Sequence, residues 1–320
     1  MRAAVIDGYG GPDRFQIREV ETPVAGPGQL LVRVRAAGVN PIDWKIRKGA
    51  LRWVRPARFP LILGYDVAGE VEAIGPEVSG FEPGDAVFAM VDGPHGGGYA
   101  EHVLVAETAT APKPARLSFE EAAAVPLAGL TALQALRDKG ELAEGESVLV
   151  HGAAGGVGHF AVQLGAALGA RVTAVAGGRN QDFVRALGAV RGIDSGQEDF
   201  TTDDETFHVV FDAAGTRSLR DCDLILDEQG IYVTTAVGPG PFVAGLLSAT
   251  AGLFGAARRS RSVLVRPSGE DLAFLGRLID AGRLHPHIEE VFRLERIADA
   301  HACSEQGHVR GKLVVRVAVD

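Results

Sequence analysis

Residues 148–158 read VLVHGAAGGVG, and residues 159–176 continue HFAVQLGAALGARVTAVA. Val148, Leu149 and Val150 end a strand, and a loop of small residues follows. Phe160, Leu164 and Leu168 then recur at helical spacing up to Gly169, and Arg171–Ala176 is a second apolar strand. Strand, loop, helix and strand make a βαβ unit, which requires a parallel pair. The loop is a GxGxxG turn whose first glycine is replaced by Ala153. Small residues there let backbone N–H groups approach a pyrophosphate at the positive end of the helix. Ala154, Gly155, Gly156, Val157 and Gly158 are therefore candidate cofactor residues, with Gly155 giving close approach and Gly158 close helix packing. Glycine turns also join strands to helices without any ligand, so the complete βαβ context carries the reading.

Working outward, Ser147–Gly152, Arg171–Ala176, Val209–Ala213 and Ile231–Ala236 are four short apolar strands separated by helix patterns, as in a parallel sheet. Upstream the texture is different. Leu30–Ala36, Val67–Ile74 and Ala86–Val91 are strands punctuated by glycine and proline, a β-rich unit. After Pro267, Leu272, Leu275 and Ile279 mark an amphipathic helix, followed by a helix over Leu294–Ala302 and a strand over Lys312–Val319. This tail is expected to return to the first domain. The fold class is α/β: a β-rich domain over residues 1–118 and 262–320, and a doubly wound Rossmann domain over 119–261.

An NAD site usually ends its second strand with an acid for the ribose hydroxyls. Here Gly177, Gly178, Arg179 and Asn180 follow Ala176. Loss of the carboxylate removes repulsion of a 2′-phosphate, and Arg179 offers it a multidentate donor, so NADPH is expected over NADH. A solvated loop arginine is the plainer alternative.

Composition narrows the partners. The chain has 32 Lys+Arg against 41 Asp+Glu, a formal charge of -9, which repels phosphate backbones and anionic lipid. Neither nucleic acid nor membrane is expected. The apolar stretch Phe242–Ala257 is broken by Gly245, Ser248, Thr250, Gly252 and Gly255, too interrupted for about 20 spanning residues. Only Cys222 and Cys303 occur, so a disulfide framework or cysteine zinc cluster cannot be built, and a reducing cytoplasm is expected.

Several runs together resemble the medium-chain dehydrogenase/reductase superfamily, end to end. They are Asn40-Pro41-Ile42-Asp43-Trp44-Lys45, Gly64-Tyr65-Asp66-Val67-Ala68-Gly69, Gly98-Tyr99-Ala100-Glu101, Pro126-Leu127-Ala128-Gly129-Leu130-Thr131-Ala132 and Gly311-Lys312. The chain is most similar to the zinc-free quinone oxidoreductase branch, and its NPxDWK run to the alkenal and enone reductases. The resemblance implies a GroES-like catalytic domain beside the Rossmann domain, a homodimer, and substrate in the cleft between domains. Zinc-dependent members carry Cys where Asn40 stands and Gly-His-Glu where Gly64, Tyr65 and Asp66 stand, so no metal is expected.

The same resemblance places Asn40, Asp43, Lys45 and Tyr65 around nicotinamide and substrate. Lys45 is the first candidate for the oxyanion partner, and Asn40 would orient the carbonyl. Asp43 would hold Lys45 or the nicotinamide ribose; alternatively it is an N-cap for a helix starting at Trp44. Tyr65 or a water would protonate the α-carbon. On the cofactor side the resemblance adds Thr131, Ala213, Gly215, Val237 and Gly238, and places Phe211 and Phe242 either along the substrate cleft or in the core. Without a Lewis acid, conjugated acceptors are the fitting substrates: a quinone, or the activated C=C bond of an enone or alkenal. An enoyl-thioester reductase, with Arg52, Arg55 and Arg58 at its mouth, and a non-catalytic NADPH-binding sensor are the rival readings.

Overall fold

A computed structural model describes residues 1–53, 56–236 and 259–317. It contains two compact units, Met1–Leu130 with Pro267–Asp320, and Thr131–Arg266.

In the first unit the strands are β1 (Arg2–Ile6), β2 (Gln16–Glu19), β3 (Gln29–Val39), β4 (Leu61–Ile62), β5 (Asp66–Ile74), β6 (Ala86–Met90), β7 (His102–Ala106) and β8 (Thr110–Pro112). Helix α1 (Pro41–Arg47) follows β3, α2 (Phe119–Ala123) follows β8, and α3 (Pro126–Leu133) starts in this unit and ends in the second. β2, β1 and β4 form a small antiparallel sheet. The larger sheet is centred on β3, whose residues are buried apart from Gln29, Arg33 and Arg35. Those two arginines both reach Glu70 on neighbouring β5, a cross-strand charge pairing on the outer face.

The second unit begins its sheet with β9 (Ser147–His151), β10 (Arg171–Ala176), β11 (Arg191–Asp194), β12 (Phe207–Asp212), β13 (Leu226–Thr234) and β14 (Arg259–Ser262). All six pair in parallel in the order β11-β10-β9-β12-β13-β14. Helix α4 (Gly158–Ala167) joins β9 to β10, and α5 (Gln181–Ala186) joins β10 to β11. The sequence reading found four of these strands. It did not count β11, which is short and carries Arg191 and Gly192, among the apolar strands, and it missed β14, whose RSRS has no apolar residue. It also expected a helix before each strand, whereas a 3-10 turn at Asp223–Ile225 precedes β13. That link is held by Asp212, whose carboxylate accepts the N–H groups of Gly215 and Arg217.

The chain then returns to the first unit with α6 (Gly269–Asp280), β15 (Ile288–Arg293), α7 (Ile297–Glu305) and β16 (Lys312–Arg316). Ser268 caps α6 by accepting the Asp271 N–H at 3.1 Å, and Leu272, Leu275, Leu278 and Ile279 form its buried stripe. β16 pairs antiparallel with β3 and parallel with β15, which completes the seven-stranded sheet. α2 also belongs to this unit, where the sequence reading started the Rossmann domain at Phe119. A Cβ at Gly38 of β3 would lie 2.5 Å from the Ala123 carbonyl oxygen, so α2 rests directly on that strand. Among the described residues no helix is long and apolar enough to cross a membrane. Val237, Gly238, Phe242, Arg55 and the stretch Phe242–Ala257 lie outside the described residues.

Candidate active site

β3 gives way to α1 at Asn40, the N-cap, whose backbone is extended. Pro41 follows, suited to a first helical position that needs no N–H donor. Asp43 turns back so that its Oδ2 accepts the Asn40 N–H at 2.8 Å. The alternative reading of Asp43 as an N-cap is thereby corrected: the helix starts at Pro41, and Asp43 is its third residue.

Tyr99 Oη donates to the same Asp43 Oδ2 at 2.8 Å, while Asp43 Oδ1 is buried with no partner among the described residues. Burial drives the Asp43 pKa up to about 7; hydrogen bonds from Tyr99 and the Asn40 N–H oppose the rise, and the Asp66 charge adds to it. Tyr99 is pushed well above the ordinary phenol range, first by burial and then by Asp43. Behind it lie His301, whose ring centroid is 5.6 Å away, and the fully buried Arg47. Arg47 donates to His301 Nδ1, the Gly10 carbonyl and Glu305. Burial, then the Arg47 charge, lowers the His301 pKa to about 3, so the imidazole is neutral.

The Asn40 side chain faces another way. Its Nδ2 donates to Asp66 Oδ2 at 2.8 Å, and its Oδ1 accepts from Lys312 Nζ. The Lys312 ammonium also donates to the Val39 carbonyl at 3.2 Å and to Asp66 Oδ2 at 3.3 Å. Asp66 Oδ1 accepts the Leu127 N–H at 2.7 Å, at the start of α3. A Cβ at Gly38 would stand 2.8 Å from Asp66 Oδ2, so that strand position takes glycine to admit the carboxylate.

Of the four residues chosen from sequence, the structure brings Asn40 and Asp43 together. Tyr65 is buried just before β5, with its hydroxyl donating to the Pro94 carbonyl at 2.7 Å. Lys45 is exposed on α1, its Nζ 5.6 Å from the centre of the Trp44 ring. It is not a member of the buried cluster; the cation there is Lys312. Asp66, Tyr99 and Lys312 were read only as marks of resemblance. A lysine opening the strand KLVVR looks solvent-facing in sequence, and only the pairing with β3 shows its burial.

These residues do not fit zinc. Asn40 Oδ1 and Nδ2 are committed to Lys312 and Asp66, and among the described residues no three His, Cys, Asp or Glu side chains are grouped to hold a metal ion.

In the second unit the glycine loop fits a dinucleotide. A Cβ at Gly158 would sit 2.1 Å from the Gly152 carbonyl oxygen, so the helix packs against the loop only without a side chain there. The N–H groups of Gly156, Val157 and Gly158 have no acceptor among the described residues, leaving donors open at the start of α4. Ala154 is buried beside them. Gly177, Arg179 and Asn180 follow the end of β10, with Arg179 exposed. Ala213 and Gly215 lie past the end of β12, and Thr131 is buried in α3. Phe211 is fully buried, which settles it as core.

Sequence reasoning also missed a pair at the carboxyl ends of the adjacent central strands β9 and β12. His151 Nδ1 lies 2.9 Å from Asp212 Oδ1, and the imidazole stacks on Phe200 with centroids 4.9 Å apart. Burial alone would raise the Asp212 pKa, but hydrogen bonds from His151 and the Arg217 N–H bring it below the usual carboxylate value.

Residues 26–115 match the family model described as alcohol dehydrogenase GroES-like domain, and residues 187–315 that described as zinc-binding dehydrogenase. The chain is 36% identical over 326 residues to the chloroplastic quinone-oxidoreductase QR1 of Triphysaria versicolor, covering 98% of each chain. It is 33% identical over 331 residues to the chloroplastic NADPH-dependent alkenal/one oxidoreductase of Arabidopsis thaliana, covering 98% of this chain and 79% of that one. Its fold matches the solved structure of the quinone oxidoreductase from Coxiella burnetii with a TM-score of 0.87, 35% identity and 99% coverage of both chains. The chain belongs to the medium-chain dehydrogenase/reductase superfamily.

Proposed function

We propose that this oxidoreductase uses NADPH to reduce a quinone or the activated C=C bond of an enone or alkenal, without zinc and as a homodimer. The observation that carries the reading is the buried cluster of Asn40, Asp66 and Lys312, where a fixed ammonium and an amide stand in place of a metal-ligand set. Lacking a Lewis acid, such a site gives an isolated ketone little activation. A conjugated acceptor spreads the incoming charge onto its oxygen, where hydrogen-bond donors suffice. Both relatives named above for their sequence carry names of this chemistry.

When bound, the nicotinamide supplies the hydride. The open N–H groups at the start of α4 bind its pyrophosphate, and Arg179 takes the 2′-phosphate. Asn40 orients the substrate oxygen. Lys45, exposed on α1, brings its ammonium to the oxyanion as charge develops. Asp43 braces the start of α1 through its Oδ2, which accepts from the Asn40 N–H and from Tyr99. Tyr65, or a water, delivers the proton to the α-carbon.

A panel of enones, alkenals, quinones and enoyl thioesters, with NADPH oxidation followed by absorbance, tests the proposal. Turnover of the conjugated carbonyls or quinones supports it. Turnover confined to enoyl thioesters, or none with any member, contradicts it.

A further inference from the structure

We infer that Lys312 and Asp66 lock the Asn40 side chain so that the one function it has left to offer is an N–H donor for the substrate's carbonyl oxygen, making Lys312 a positioning residue for the reduction. The inference rests on the reading above that the substrate is a conjugated carbonyl compound or quinone.

An ammonium has three N–H donors and no acceptor. Those of Lys312 have three acceptors around them: Val39 O at 3.2 Å, Asp66 Oδ2 at 3.3 Å and Asn40 Oδ1. Lys312 is 3% exposed and has no donor remaining, so it does not itself reach a ligand. Because lysine only donates, the Asn40 atom facing it is the carbonyl oxygen, and because the Asp66 carboxylate accepts, the atom facing it is nitrogen. The chemistry of the partners thus fixes which way the amide points. One Nδ2 hydrogen goes to Asp66, and the second has no acceptor among the described residues.

The lock is built into the sheet. β16 runs antiparallel to β3 with Leu313 opposite Val39, a register that sets Lys312 across from Asn40. Turning the amide over would break both contacts at once, so the donor is held before charge develops, the condition under which such a group accelerates a reaction most. A cation on the carbonyl end also polarises the amide and strengthens its N–H donors. Lys312 therefore acts on the substrate oxygen through Asn40, while Lys45 is free of this cluster and exposed.

The sequence contains two asparagines, Asn40 and Asn180, so side-chain 15N labelling of asparagine gives two amide groups, assigned by Asn40→Ala. The lock predicts two widely separated, slowly exchanging proton signals for Asn40. Lys312→Met should bring them together, and a conjugated ketone added to the NADP⁺-saturated protein should move the proton not bonded to Asp66. In steady-state assays Asn40→Ala should lower kcat about 100-fold, the scale of losing one oxyanion donor, with the NADPH KM nearly unchanged. Lys312→Met should lose about 10-fold or more, and the double variant should be within about threefold of Asn40→Ala alone, because one residue acts through the other.

Independent, multiplying rate losses would overturn the inference, as would Asn40 signals that ignore both Lys312→Met and the ketone. If Lys312→Met does not fold, Asn40→Ala keeps the Lys312–Asp66 pair, and its kcat with the wild-type ketone titration decides. If the wild-type protein reduces none of the conjugated acceptors, the proposed function fails; the amide signals then still judge the lock, which falls if no carbonyl compound moves them.

Discussion

Tyr99 Oη donates to Asp43 Oδ2 at 2.8 Å, and both side chains are fully buried. The pair makes the protonation of one carboxyl group a matter of stability. With a folded pKa of about 7 and an unfolded value of about 3.9, Asp43 binds its proton more tightly in the folded chain. Its contribution is present below about pH 4 and is lost as pH rises toward about 7. His301 has the opposite sign. Its folded pKa of about 3 lies below the unfolded value of about 6.5, so its contribution is present above about pH 6.5 and is lost as pH falls through about 3.

Asp43→Asn should isolate the first effect. Unfolding by urea between about pH 5 and 8 should show the wild type losing stability relative to the variant as pH rises, by an amount on the order of 2–4 kcal/mol. Parallel curves would mean that Asp43 does not exchange its proton in this range.

Arg179→Ala should remove most of the preference for NADPH over NADH. A charge-assisted contact to phosphate is worth roughly 1.5–3 kcal/mol, which is about a tenfold to hundredfold change in the ratio of dissociation constants. Fluorescence titration with both cofactors measures it. Equal affinities in the unsubstituted protein would remove the basis for assigning the 2′-phosphate to Arg179.

The glycine loop was legible because its signal is local: Gly158 must lack a side chain for the helix to approach its own loop, and the flanking apolar runs give the strands. Strand β14 was not, since RSRS owes its place to pairing with β13 rather than to apolar periodicity. The site was half legible for the same reason. Asn40 and Asp43 are three residues apart and share a helix start, whereas Lys312 reaches Asn40 only through the pairing of β16 with β3. Lys45 came from the resemblance as a partner for the substrate's oxyanion and lies exposed on α1, whereas the buried ammonium beside Asn40 is that of Lys312.

Lys45 is still assigned a role by the proposed function, and that role is separable. Lys45→Met removes the ammonium and keeps much of the stem. If the ammonium meets the oxyanion, the single-turnover rate should fall about 10²-fold to 10³-fold while NADPH affinity is nearly unchanged. Because Lys45 is exposed, its stability effect should be within about 0.5 kcal/mol. A wild-type rate would return Lys45 to the surface of α1 with no part in the chemistry.

Prolonged chelation should leave activity unchanged, because Asn40 is engaged by Lys312 and Asp66 and Tyr65 by the Pro94 carbonyl. Metal analysis of the active protein checks this. Stoichiometric zinc whose removal abolishes turnover would contradict it.

Under the proposed function, fixed donors rather than a metal stabilise the oxyanion that forms when a conjugated acceptor or quinone takes the hydride. The most direct measurement compares single-turnover NADPH oxidation by an enone and by its saturated ketone, in the chelated protein. The enone should react at least about 100-fold faster, the scale that one well-placed donor contributes when charge reaches the oxygen. Equal rates for the two ketones, or an enone rate that vanishes with chelation, would contradict it.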